Sequence, residues 1–178
     1  MLIRLAVVLA LAGPVTTYAQ FDEYGVKAAF VRNFVAFVEW PQARLNAGDP
    51  LQLCVYNGSP ILTRLTSLNI DPVRGHRVQV RAVSAVPDLG ACHVVFIPST
   101  ESAQIADIHS RYKGTGLLTI SEERAELAGA VINLYVSGGK VAFDIDMTAA
   151  DSLSVRISSK LLALARRVTG APARPQGN

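Results

Sequence analysis

Residues 92–97 are the segment that most constrains how this chain can fold. They read Cys-His-Val-Val-Phe-Ile, an apolar run interrupted by a single histidine. A short apolar run of this kind is typical of a strand covered on both faces, as in parallel sheets flanked by helices. The sequence therefore predicts an inner strand of an α/β sheet at this position.

The rest of the chain alternates between strand-like and helix-like segments. Further strands are predicted at 51–56, 76–83 and 116–120, and a β-hairpin around Gly138-Gly139 joins strands at 130–136 and 140–145. Helices are predicted at 24–40, 61–68, 102–112, from Ser121 towards Gly129, and at 151–168. This alternation predicts a single compact α/β domain, with a mixed β-sheet that is parallel in its first half and has helices on both faces.

The first and last predicted helices have different patterns. Helix 24–40 is apolar around most of its circumference, so either the rest of the domain or a partner must cover its second side. Helix 151–168 has one apolar stripe, formed by Leu153, Ile157, Leu161, Leu164 and Val168. Arg156 and Lys160 would then lie on its opposite face, as a small basic ridge.

The N-terminal segment has the pattern of a secretory signal peptide. Arg4 precedes an apolar or small run over residues 5–13, and Thr17-Tyr18-Ala19 approximates a cleavage site. The alternative is an uncleaved anchor, but the run is shorter than the roughly 17–25 residues that span a bilayer. We expect cleavage after Ala19, a soluble exported product with its domain at 20–169, and a flexible tail at 170–178.

The overall charge excludes one class of partner. The formal net charge is only +3 and the basic residues are dispersed. Nucleic-acid-binding domains usually have clustered basic residues, so a nucleic acid is not expected as a partner.

Export changes the interpretation of the two cysteines, Cys54 and Cys92. An even number of cysteines in an oxidising compartment favours a disulfide, here between two predicted strands. The alternative is a pair of buried thiols that never meet.

Catalytic and metal-binding signals are weak. The three histidines, His76, His93 and His109, lack metal-ligand spacing, and a structural role is favoured for them. Asp144 and Asp146 would share one face of a strand and could bind a cation or act as acid and base, but a turn or cap role is commoner for Asp146. The sequence therefore predicts no enzyme, no metal and no cofactor.

A family resemblance extends through most of the chain after the signal peptide. It lies in Val26-Lys27-Ala28-Ala29-Phe30, Asn33-Phe34, Phe37-Val38-Glu39-Trp40-Pro41, Leu53-Cys54-Val55 with Gly58, and then 92–97, 117–121, 129–134, 141–146 and 156–162. Single motifs are weak, but their joint order is specific. The chain resembles the YfiR/HmsC-like family of periplasmic regulators.

The resemblance implies a compact α/β fold and a regulatory function. It implies a homodimer that binds the periplasmic sensor domain of an inner-membrane diguanylate cyclase and represses cyclic-di-GMP synthesis, and so biofilm and exopolysaccharide production. It also implies that an outer-membrane lipoprotein can sequester the protein. A well-described member has two disulfides, of which only the pair matching Cys54 and Cys92 is present here, so redox gating that needs both bonds is in doubt.

The predicted binding residues are Glu39, Trp40, Pro41, Arg156 and Lys160. Trp40 would be an aromatic anchor or, alternatively, would pack the helix end onto the sheet. Arg156 and Lys160 would meet an acidic partner or anionic ligand or, alternatively, form a solvated face. Two other functions stay open: a periplasmic small-molecule-binding module, and a secreted hydrolase using the carboxylates or the histidines, which the missing motifs disfavour.

Overall fold

The computed structural model describes residues 22–41, 43–68, 70–123 and 129–170. The predicted signal peptide, most of the predicted tail and most of the helix predicted after Ser121 lie outside these residues; Ser121 itself is the last residue of a strand.

The described residues form strands and short helices in alternation. The strands are β1 (Val38–Glu39), β2 (Leu51–Tyr56), β3 (Val78–Val83), β4 (Val94–Ile97), β5 (Leu118–Ser121), β6 (Ile132–Ser137), β7 (Lys140–Asp146), β8 (Arg156–Ile157) and β9 (Arg167–Thr169). The α-helices are α1 (Glu23–Ala36), α2 (Ile61–Ser67), α3 (Ile105–Arg111), α4 (Met147–Ser152) and α5 (Ser159–Leu164), and 3-10 turns occupy Val86–Ala91 and Ser99–Gln104. None of these helices is long and apolar enough to cross a membrane.

Seven of the strands form one mixed sheet in the order β3-β2-β4-β5-β6-β7-β9. The neighbours from β3 to β6 are parallel, β6 and β7 form an antiparallel hairpin, and β9 is parallel to β7. Gly138 and Gly139, both with positive φ, form the hairpin turn. The predicted mixed α/β fold, parallel in its first half, is confirmed.

Helices cover both faces of this sheet. On one face Phe34 of α1 packs against Phe143 of β7, with ring centroids 4.8 Å apart. On the other face His109 of α3 contacts the Thr119 hydroxyl of β5 at 3.0 Å. The central strands β4 and β5 are buried along their whole length, as the apolar run at 92–97 predicted.

The prediction of one helix over 151–168 is wrong. α4 ends at Ser152, Ser154 takes a left-handed φ of 58°, and the chain then forms β8, α5 and β9 in turn. The strand β8 pairs with β1 and β9 pairs with β7, so two strand partners outweigh a helical pattern. Arg156 and Lys160 therefore lie on different elements and form no ridge on a single helix.

The first helix is shorter than its predicted range of 24–40. It ends at Ala36, and Val38–Glu39 form β1 instead. Val38 is fully buried and pairs with Ile157 of β8. A tertiary strand partner, not Pro41, therefore ends the helix.

Candidate partner-binding cleft

The pairing of β1 with β8 brings together the two predicted groups of binding residues. In this antiparallel ladder Glu39 lies directly opposite Arg156. Side chains at such positions lie on the same face of the ladder, with Cβ atoms about 5 Å apart. Residues more than one hundred positions apart in the sequence thus form one surface.

A cleft of about 500 Å3 opens beside this ladder. Its lining residues are Glu39, Trp40, Pro41, Asp151, Ser154, Val155 and Arg156. The structure therefore places Glu39, Trp40, Pro41 and Arg156 in one cleft. Lys160 lies outside the lining, exposed in the first turn of α5.

Trp40 is half-buried and lies between the core and the cleft. Its indole Nε1 donates to the backbone carbonyl of His93 at 3.3 Å, and its ring meets the His93 ring edge-on. The same side chain packs against the core and lines the cleft. The indole is thus held on one side by the core and the His93 carbonyl, and on the other side it is open to the cleft.

The cleft presents both signs of charge to solvent. Glu39 accepts a hydrogen bond from Arg74 Nη2 at 3.2 Å, and both side chains are about half exposed. Arg156 and Asp151 are exposed, and within the described residues neither forms an ion pair. A charged or zwitterionic partner group could therefore be bound here without first breaking an ion pair of Arg156.

The sequence interpretation missed three lining residues, Asp151, Ser154 and Val155. All three fell inside the wrongly predicted last helix. A signal was available, because Val155 and Ile157 alternate with polar residues, which is typical of a strand.

The turn at Gly114-Thr115-Gly116 supports this cleft. The amides of Gly114 and Gly116 donate to the carbonyls of Ser152 and Leu153 at 2.9 and 2.7 Å. Gly116 has a φ of +80°, and a Cβ there would lie 3.0 Å from Pro41 Cδ. The backbone at this point thus requires glycine.

Cys54 and Cys92 form a disulfide, which removes the alternative of two separate thiols. Cys54 lies in β2, and Cys92 lies just before β4 with its Cα 5.9 Å from that of Cys54. Both residues are fully buried. The bond fixes the start of β4, and therefore the His93 carbonyl that holds Trp40.

His93 has a structural role in the same region. The Gln52 amide donates to its Nδ1 at 2.9 Å, so its Nε2 carries the proton and donates to the Arg44 carbonyl at 3.0 Å. Burial lowers the pKa of His93 below its ordinary value. A neutral imidazole therefore links β2, β4 and the loop after Pro41.

The remaining catalytic candidates are engaged within the fold. Asp144 is buried and accepts from the Tyr135 hydroxyl and from Arg167, each at 2.9 Å. Asp146 caps α4 by accepting from the Ala149 amide. The two carboxylates lie two residues apart on β7 and have different hydrogen-bond partners. The predicted cap role of Asp146 is confirmed.

The other two histidines also make internal hydrogen bonds. His76 donates from Nδ1 to the Asp49 carbonyl at 2.8 Å, and His109 contacts Thr119. Burial lowers the pKa of His109. Over the described part of the chain, no three His, Cys, Asp or Glu side chains come together as a metal site.

A model of the YfiR/HmsC-like family matches residues 24–166. The match includes the disulfide and the lining of the cleft. It also includes every strand of the main sheet except β9. It agrees with the order of the motifs from Val26 to Leu162. The chain therefore belongs to the YfiR/HmsC-like family.

Proposed function

We propose that this protein is a periplasmic regulator that binds the periplasmic sensor domain of an inner-membrane diguanylate cyclase. Binding represses cyclic-di-GMP synthesis, and so biofilm and exopolysaccharide production. The protein acts by binding and carries out no catalysis.

The family match over residues 24–166 carries this proposal. The buried disulfide supports the compartment, because disulfides persist in oxidising environments such as the periplasm. The internal hydrogen bonds of Asp144, Asp146 and His93 favour binding over catalysis.

The cleft around Trp40 is the proposed binding surface. A regulator without chemistry acts by binding one conformation of its target more tightly than the other. Changing a target from mostly active to mostly inactive takes about 5.5 kcal/mol of differential binding free energy. Tryptophan and arginine, both present in the cleft, are among the residues that dominate the binding free energy of protein interfaces.

Lys160 and two further partners complete the proposal. Lys160 is exposed on α5 outside the cleft lining, and we propose that it affects the rate of association more than affinity. A homodimer and an outer-membrane lipoprotein that sequesters the protein rest on the resemblance alone.

The test is crosslinking capture of the tagged protein from intact cells, followed by mass spectrometry. We expect an inner-membrane protein with a cytoplasmic diguanylate cyclase domain. Capture of soluble proteins only, with working controls, would overturn the proposal.

Variants then locate the surface. Trp40→Ala and Arg156→Glu are expected to abolish capture and raise cyclic-di-GMP, whereas Lys140→Glu at the hairpin turn leaves both unchanged. Lys140 is a matched control, because it is exposed and lies at the end of β7 remote from α4. Normal capture by both cleft variants would place the interface elsewhere.

One observation favours a second function, a periplasmic small-molecule-binding module. The cleft of about 500 Å3 falls in the size range of ligand pockets and pairs an aromatic wall with opposite charges. A metabolite that binds there would raise the unfolding temperature of the wild type. The same metabolite would have no effect on Trp40→Ala.

A further inference from the structure

One edge of the main sheet is long and unpaired. β3 ends the strand order and pairs with β2 on one side only among the described strands. It has six residues, whereas β9 at the opposite edge has three. Edge strands of this length are templates for pairing with another chain unless they are blocked.

The backbone of β3 directs alternate residues outwards. The Arg77 and Val83 carbonyls accept from β2-side amides, those of Leu51 and Asn57, both at 2.8 Å. In a parallel ladder, the backbone N–H and C=O groups of every second residue point to the same neighbouring strand. The backbone groups of residues 77, 79, 81 and 83 therefore point to β2. The N–H and C=O groups of Val78, Val80 and Ala82 therefore point to the open edge.

A groove of about 270 Å3 lies beside this edge on the α2 side of the sheet. Its lining residues are Leu65, Thr66, Leu68, Ile70, Val78 and Val80. Leu68, Ile70, Val78 and Val80 are only half-buried. An added strand would place every second side chain over these residues.

The other face of the edge carries arginine. Residues 77–83 contain two arginines and no aspartate or glutamate. Arg77 is exposed and, within the described residues, makes no ion pair. Arg81 turns inwards, where its Nη2 contacts the Asp88 carbonyl and Cys92 Sγ. The exposed charge on β3 and the residue before it is therefore that of Arg77.

We propose that the β3 edge binds an extended acidic segment of another protein by strand addition. The segment alternates apolar residues, which enter the groove beside Val78 and Val80, with carboxylates on the side of Arg77. Main-chain hydrogen bonds to Val78, Val80 and Ala82 give the affinity, and the two faces give the specificity. This binding site is separate from the cleft around Trp40 and does not depend on the proposed function.

The probe is a displayed library of random decapeptides, selected on the disulfide-bonded protein. We expect enrichment of proline-free sequences that alternate apolar and acidic residues. Binding of a selected peptide should weaken as salt is raised, because exposed charges are screened.

Two variants test the mode of binding with matched controls. Ala82→Pro removes an outward N–H without touching the β2 ladder, a place where strands tolerate proline. It should weaken the selected peptide about tenfold, the equivalent of one hydrogen bond. Ala82→Ser keeps the N–H and should bind normally.

Charge reversal tests the basic face. Arg77→Glu should weaken the same peptide about fivefold, an effect of the size measured for charge pairs at exposed sites. Lys140→Glu should have no effect. Unfolding temperatures within a few degrees of the wild type show that the variants fold.

Three outcomes would overturn the proposal: no enriched peptides, enriched peptides that bind Ala82→Pro and Arg77→Glu normally, or self-association of the protein through β3. Loss of peptide binding in Trp40→Ala but not in Ala82→Pro would assign the peptides to the cleft instead. Capture of the cyclase by Ala82→Pro is expected to be normal, so failure of this inference leaves the proposed function unaffected.

Discussion

The segment that contains α1 and β1 carries two groups of charged side chains, one buried and one exposed. Lys27 of α1 is 3% exposed, and its ammonium donates to Glu23 and, at 2.7 Å, to Glu122 at the end of β5. Burial alone lowers the pKa of Lys27, but the two hydrogen bonds outweigh it and the pKa is raised. Just past α1, Glu39 and Arg74 form a half-exposed pair beside Arg156, which makes no ion pair with any residue that the structure describes.

The difference separates charges that hold the fold from charges that can bind. A buried ammonium is strongly destabilising if its partner is lost, because water cannot replace that partner. An exposed pair contributes little, since solvent screens it. The exposed group can therefore change partners at small cost, which is what a binding surface requires.

The largest effect is expected on the buried side of the molecule, from loss of the disulfide. A double Cys54→Ala/Cys92→Ala variant releases a loop with a sequence separation of 38, which corresponds to about 4 kcal/mol in the chain-entropy model. Urea unfolding measures the change. A loss below about 1 kcal/mol would mean that the unfolded chain gains little freedom without the bond.

The buried and exposed charge pairs can be compared directly. Glu122→Ala leaves Lys27 without its buried partner and should lower the free energy of unfolding by about 3 kcal/mol. Arg74→Ala removes one member of the exposed pair and should cost less than about 1 kcal/mol. Equal losses in urea unfolding would contradict the distinction drawn here.

His93 gives a smaller effect that depends on pH. Its pKa in the folded state is lowered, so its contribution is fully present above the unfolded value of about 6.5 and is lost as pH falls below that value. Protonation removes the acceptor for the Gln52 amide. Wild type should therefore lose stability more steeply than His93→Asn between about pH 7 and 5.

His109 supplies the internal control for that experiment. Its pKa is also lowered by burial, so part of the pH dependence should remain in His93→Asn and disappear only in a double variant with His109→Asn. An unchanged slope in the single variant would remove His93 as a source of acid sensitivity.

The smallest effect on stability is expected at Arg156. Arg156→Glu alters an exposed side chain and should change the free energy of unfolding by less than about 0.5 kcal/mol. The same variant is expected to lose cyclase capture. A large loss of stability would mean that Arg156 supports the β1–β8 ladder, and its capture defect would then say nothing about binding.

The inner strands of the parallel half were predictable because burial on both faces leaves a strong local signal. The strand predicted at 92–97 is observed at Val94–Ile97. The hairpin lies around Gly138-Gly139, as the turn residues predicted. The segment 151–168 was not predictable in the same way. Its apolar spacing fits a helix, yet Ile157 pairs with Val38, and Val168 pairs with Ile145.

The candidate site was predicted in part and for a partly wrong reason. Glu39, Trp40 and Pro41 adjoin one another in sequence, and Arg156 was chosen from a helix face that does not exist. The ladder that sets Arg156 opposite Glu39 is only two residues long. No local pattern specifies a pairing that short across so many residues.

The sequence alone determined the fold class and the family and favoured a disulfide in a chain predicted to be exported, because each depends on residue types and their order. The tertiary structure decided where the helices end, which charges are buried and which residues share the cleft. Lys27 and Arg156 are both basic residues in the sequence, but only one is enclosed by carboxylates in the fold. Burial and strand pairing are properties of the assembled chain, and they separate the charge that stabilises from the charge that is free to bind.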